Sequence, residues 1–85
     1  MKNFSYIIKD EQGIHARPAG LFVKKTSTFN SNITVSKESK TVDGKKLFAM
    51  MSLGVKSGDT ITVEISGDDE EEALAAIETF VNENL

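Results

Sequence analysis

The chain changes rhythm between Thr60 and Leu85, and that change limits what it can fold into. Ile61, Val63 and Ile65 alternate with Thr60, Thr62 and Glu64, the period-two spacing of a strand with one apolar face. Beyond Gly67, the residues Ala73, Leu74, Ile77, Phe80 and Val81 fall on one stripe of a helix spanning Asp68–Leu85. Asp69 with Glu72 suits a capping box at its start, and the acidic run Asp68–Glu72 sits at the positive end of the helix dipole. A one-faced strand beside a one-striped helix buries both apolar surfaces by packing one on the other.

The rest of the chain repeats this logic. Residues 2–8 alternate, with Lys2, Phe4, Tyr6 and Ile8 set against Asn3, Ser5 and Ile7, and predict a strand. Ala19, Phe22, Val23, Thr26 and Phe29 recur at helical spacing over residues 16–28. Pro18, the only proline, lies in the first turn of that helix, where a missing N–H costs little. Asn32–Ser36 and Lys40–Val42 read as short strands joined by a polar turn, and residues 46–53 as a short helix ending at Gly54. Gly58-Asp59 marks a further turn. The expected order is β-α-β-β-α-β-α, an α+β two-layer sandwich with helices on one face of a mainly antiparallel sheet.

With 85 residues, one domain spanning residues 1–85 is expected. A core this small rules out a second lobe or a deep cavity, so any site belongs at the surface. A hydrophobic fraction of 39% and a net charge of −3 do not suit a disordered chain. There is no cysteine, which excludes disulfides, thiolate metal sites and thiol catalysis and favours a reducing, cytoplasmic setting. Neither a leader-like start nor an apolar run of membrane-spanning length is present, so no membrane insertion is expected. The acidic balance and the lack of a basic stripe argue against nucleic acid as a partner.

Chemistry concentrates at one place. His15, the only histidine, follows Gly13-Ile14 and precedes Ala16-Arg17-Pro18, which open the first long helix. An imidazole there sits beside unpaired N–H groups and the positive end of a dipole, a ready anion site. Arg17 can bring a bidentate guanidinium to the same anion, and Gly13 lets the backbone turn closely. The neutral imidazole is the nucleophilic form. The local arrangement alone leaves both a phosphoryl acceptor and a plain cap residue open.

The short helix gives a second signal. Leu47, Phe48, Ala49, Met50, Met51 and Leu53 are apolar almost all round, yet a helix on a sheet buries only one side. Some of Leu47, Phe48 and Met51 should therefore form a small exposed patch suited to partner proteins. Other clusters read as solvated charge: Glu70-Glu71-Glu72 as a helix start rather than a metal site, Lys24-Lys25 as a helix face, Asp10-Glu11 as a turn. No Walker or Rossmann glycine pattern is present, so neither ATP nor NAD is expected by those routes.

At Gly13-Ile14-His15-Ala16-Arg17-Pro18-Ala19 the sequence resembles HPr, the histidine-containing phosphocarrier family of the bacterial phosphoenolpyruvate:sugar phosphotransferase system. Lys40-Thr41-Val42, Met50-Met51-Ser52-Leu53-Gly54 and Gly67-Asp68-Asp69-Glu70 extend the likeness at matching spacing, from residue 2 to 84. The resemblance implies an open-faced β-sandwich, a four-stranded antiparallel sheet with three helices on one face. It implies a phosphoryl carrier rather than an enzyme. No cofactor or metal is expected, and nothing in the sequence demands more than a monomer. His15 would accept a phosphoryl group on Nδ1 from a phosphohistidine of Enzyme I and pass it to the IIA domain of a sugar permease. Ala16, Arg17 and Pro18 would hold the phosphate at the helix start, with Arg17 neutralising and orienting it. Lys46, Leu47, Phe48 and Met51 would form the docking surface.

Two residues depart from the family pattern. Lys46 stands where many relatives from Gram-positive bacteria carry a serine modified by an ATP-dependent kinase, so that switch is expected to be missing. Gln12 replaces the small hydroxyl or amide residue usual in the loop. The Lys46 departure also motivates a competing reading, a docking module without phosphotransfer; retention of His15 and Arg17 opposes it. An RNA-binding α/β domain is opposed by the acidic balance and the lack of paired aromatics on adjacent strands.

Overall fold

The computed structural model describes residues 1–85. The elements in chain order are β1 (Lys2–Ile7), α1 (Ala16–Thr26), β2 (Asn32–Lys37), β3 (Lys40–Asp43), α2 (Leu47–Ser52), β4 (Thr60–Ser66) and α3 (Glu70–Asn84). The four strands form one sheet in the order β1-β4-β2-β3, every neighbouring pair antiparallel. Alternation decides the two faces. Ile61, Val63 and Ile65 of β4, Ile33 and Val35 of β2 and Phe4 of β1 are buried under the helices. Ser5 and Thr62 stand opposite each other on the open face, where their hydroxyls bond at 3.1 Å. Helices thus cover one face only, and the result is the expected open-faced sandwich.

Each long helix contributes most of its predicted stripe, although α1 ends at Thr26 and leaves Phe29 beyond it. Ala19 and Phe22 of α1 and Ala73, Ile77 and Val81 of α3 are buried, and the Phe22 and Phe80 rings meet edge to face at 6.0 Å. Thr26 is buried at the end of α1, where its hydroxyl donates to the Gly44 carbonyl at 2.8 Å. This bond fixes the far end of α1 to the loop that leads into α2, at no cost in unpaired polar groups.

One expectation fails. Asp69 precedes α3 as its N-cap residue, but its side chain makes no cap hydrogen bond and Glu72 does not reach back to it. The carboxylate turns to the loop before β2 instead. There it accepts the Asn30 N–H at 2.8 Å, the Ser31 N–H at 2.9 Å and the Ser31 hydroxyl. Three donors on one loop outcompete a single helical N–H. Gly67 permits the approach, because a side chain there would lie 2.7 Å from Ser31 Cα. The acidic first turn, Glu70 to Glu72, remains as the favourable dipole partner.

Three carboxyls are held below their usual range by bonds to their ionised form. The Ser31 hydroxyl and then the Asn30 N–H act on Asp69, the Lys37 ammonium and then the Lys56 N–H on Asp59, and the Gly67 N–H on Glu70. Each folded value lies below the unfolded one. The stability these bonds give is therefore complete above the unfolded carboxyl range and lost as pH falls through the lower folded values. The melting temperature should stay level from neutrality to about pH 5 and drop below about pH 4. Asp69→Asn should lower it at pH 7 and flatten the acid slope; an unchanged slope would show that Asp69 is not one of the titrating contacts.

Candidate functional site

The loop between β1 and α1 carries the site, and its shape follows from local chemistry. Asp10 Oδ1 accepts the Gln12 N–H at 2.9 Å and the Asp10 carbonyl accepts the Gly13 N–H at 3.0 Å, which closes a tight turn. Gly13 then adopts a φ of +68°, the left-handed region open to glycine. It also sits on the segment after α2: an added Cβ would overlap the Val55 carbonyl oxygen and lie 2.8 Å from Lys56 Cα. The next amide, Ile14 N–H, donates to that same Val55 carbonyl at 3.2 Å, and the Ile14 side chain is buried. A second anchor comes from the far end of α3, where the Leu85 carbonyl accepts the Lys9 and Asp10 N–H groups at 2.7 and 2.8 Å.

His15 follows as the N-cap residue of α1 with extended backbone, φ −106° and ψ −172°. Its carbonyl takes the Ala19 N–H at 2.9 Å, the first bond of the helix. The N–H groups of Ala16 and Arg17 have no intrahelical acceptor, and Pro18 has no N–H. The imidazole itself is half-buried and makes no protein hydrogen bond. No buried side-chain nitrogen or oxygen lacks a partner, so its ring nitrogens are reached by solvent. Arg17 is exposed and forms no ion pair, although Asp10 and Glu11 line the same shallow depression of roughly 630 Å³. An open imidazole, two unclaimed amides and an unclaimed guanidinium thus share one helix start. Such a set accepts a tetrahedral dianion without first breaking an internal bond.

The short helix places the other predicted residues. Met50 and Leu53 point into the core, while Phe48 is 82% exposed, Met51 39% and Leu47 37%. Leu21 of α1, 43% exposed, also lines the depression by His15, a contribution the sequence reading did not single out. Lys46 is exposed and precedes α2 as its N-cap, with no side-chain cap bond. Its neighbour Lys45 turns away and donates from Nζ to the Phe29 carbonyl at 2.7 Å. Gln12 lines the depression as the turn's bonded amide. The sequence reading also missed Val55, Lys56 and Leu85 as supports of the loop. Their contribution is made by backbone, which side-chain identity does not advertise.

Fold and site together define a small α+β protein with a solvent-reached histidine at a helix start. Residues 2–83 match the family described as PTS HPr component, phosphorylation site. The chain is 44% identical to the phosphocarrier protein HPr of Mycoplasma genitalium, over 99% of this chain and 97% of that one. It is 42% identical to the HPr-like protein Crh of Halalkalibacterium halodurans, over 87% and 88%. The crystal structure of HPr from Thermoanaerobacter tengcongensis superposes with a TM-score of 0.92 at 44% identity, covering 96% of this chain and 92% of that one. The chain belongs to the HPr family of phosphocarriers of the phosphotransferase system.

Gly13 and Gly54 separate two physical effects at a matched φ. Gly54 has a φ of +67° but open space around an added Cβ. Gly54→Ala should therefore cost only the left-handed backbone penalty, about 1–2 kcal/mol. Gly13→Ala carries that penalty plus the overlap with Val55 and Lys56, and should cost at least ~1 kcal/mol more. Denaturant melts of both variants check this; equal losses would mean that the loop does not rest on residues 55–56.

Proposed function

We propose that the chain carries phosphoryl groups on His15, between a phosphohistidine of Enzyme I and the IIA domain of a sugar permease. The observation that carries this reading is the pairing of an unbonded, solvent-reached imidazole with an unpaired Arg17 at the start of α1. In the reaction, the neutral imidazole attacks phosphorus through Nδ1. The P–N bond to the donor breaks, and its electron pair returns to the donor imidazole. The Ala16 and Arg17 N–H groups and the Arg17 guanidinium then face the phosphoryl oxygens, with Pro18 fixing the turn that aims them. Positioning and charge neutralisation supply the rate, which suits so small a scaffold.

Lys46, Leu47, Phe48 and Met51 form the docking surface in this reading, with Leu21 extending it towards His15. Their exposure is consistent with transient partners that must leave as readily as they arrive. Lys46 has no hydroxyl, so the kinase-operated serine switch is absent at this position. In this reading the carrier works as a monomer in the cytoplasm. The Lys46 departure keeps a docking-only alternative in view, but a surface used only for docking needs neither an unbonded nucleophile nor an unpaired guanidinium beside it.

Intact-mass measurement after incubation with phosphoenolpyruvate, Mg²⁺ and Enzyme I tests the reading. One acid-labile phosphoryl group should be gained by the native chain and none by His15→Ala. Phe48→Ala should leave the melting temperature within about 2 °C, because the ring is exposed, yet slow phosphorylation at limiting Enzyme I roughly tenfold or more. A native chain that stays unmodified beside a working control carrier would overturn the assignment.

A further inference from the structure

We propose that Lys37 is a positioning residue for phosphoryl transfer: its ammonium ties the end of the docking helix to the segment on which the His15 loop rests. This rests on the phosphocarrier reading above. Lys37 ends β2 at the hairpin, and its side chain is 20% exposed, the most buried cation among the ion pairs. From there Nζ reaches two different structures. It donates to the Gly54 carbonyl at 2.9 Å, just past the end of α2, and it pairs with Asp59 Oδ2 at 2.9 Å. That same Asp59 oxygen accepts the Lys56 N–H at 2.8 Å, which holds the turn from residue 56 to 59 closed.

The turn matters because of what stands on it. Val55 and Lys56 form the floor under Gly13, and the Val55 carbonyl takes the Ile14 N–H, one residue before the imidazole. The Asp59 carbonyl also accepts the Ile8 N–H at 2.9 Å, and the Ile8 carbonyl accepts the Gly58 N–H at 2.8 Å, so the turn meets the start of the same loop. One ammonium therefore sets the register between the patch that would locate a partner and the loop that presents His15. Lys40 supports the same helix end with a 2.7 Å bond to the Ser52 carbonyl, but makes no bond to the turn. Transfer between two histidines needs phosphorus and nitrogen aligned to a fraction of an ångström, and a 1 Å misplacement can cost on the order of a hundredfold. Loss of the tie should harm alignment while leaving Leu47, Phe48 and Met51 available to bind.

The variants are Lys37→Met, Lys37→Arg and, as a control of lowered stability at the other end of the sheet, Asp69→Asn. Single-turnover phosphorylation by phospho-Enzyme I should show a fall of roughly ten- to a hundredfold in maximal rate for Lys37→Met, with half-saturation changed less than about threefold. Lys37→Arg, whose guanidinium can span the same carbonyl and carboxylate, should recover most of the rate. Asp69→Asn should lose stability without losing rate. Hydrogen exchange at the Ile14 N–H supplies a readout that needs no partner: it should quicken in Lys37→Met beyond any global change, and not in Asp69→Asn. A Lys37→Met chain with native rate and native Ile14 exchange would overturn the proposal. A native chain that takes no phosphoryl group would overturn the carrier reading instead, and Ile14 exchange would still decide whether Lys37 holds the loop.

Discussion

The structure depends on the close approach of Gly13 to the backbone of Val55 and Lys56. The first turn of α1 cannot satisfy its own N–H groups, and a loop left mobile in front of it would scatter the imidazole over many orientations. Here the loop has no such freedom. Its turn is closed by Asp10, its floor is the 55–56 backbone, and its other side is bonded to the Leu85 carbonyl. The contacts that fix His15 are thus nearly all main-chain contacts. Several side chains around the loop remain available for an incoming ligand, and Arg17 and the ring of His15 are among those that stay unclaimed.

The sheet makes this arrangement possible by sorting its loops to two ends. Antiparallel pairing of β1 with β4 brings residues 8 and 58–59 together at one end and residues 2 and 65 at the other. The His15 loop, the segment after α2 and the end of α3 therefore meet at one end. The opposite end holds purely structural ties: Asp69 to Ser31, Thr26 to Gly44, Lys45 to Phe29. The Asp69 contacts thus lie away from the imidazole along the strand direction, whereas the Lys37–Asp59 tie stands at the His15 end. Acid-sensitive bonds at Asp69 can strain without touching the imidazole.

Much of this was legible in the sequence, for reasons that differ by residue. Alternation of Ile61, Val63 and Ile65 and the stripe of α3 state the two layers directly, because burial has the same period as the backbone. Some of Leu47, Phe48 and Met51 were expected outside because α2 is apolar almost all round and a sheet can hide only one side. His15 stood out because an imidazole, an arginine and a proline share one helix start. The role of Asp69 was not legible: a cap bond is local, whereas its actual partner Ser31 lies 38 positions away and is brought close only by the pairing of β2 with β4. Val55 and Lys56 were hidden for a related reason, since a carbonyl oxygen is the same whatever side chain it carries.

The short helix α2 shows how the two levels combine. Six residues are too few for a helix to stand alone in water, and Lys46 offers neither a cap bond nor a favourable charge at its start. Yet α2 leaves Phe48 in solvent, where it adds nothing to the core. Tertiary anchors supply the difference. Met50 and Leu53 are sunk in the core, Asp43 holds the entry through the Lys45 N–H at 2.9 Å, and Lys37 and Lys40 bond the carbonyls at the exit. Cations at the exit also meet the negative end of the helix dipole. With its ends held by the sheet side, the helix can leave a large apolar side chain exposed, and the same anchors fix where that side chain stands relative to the start of α1.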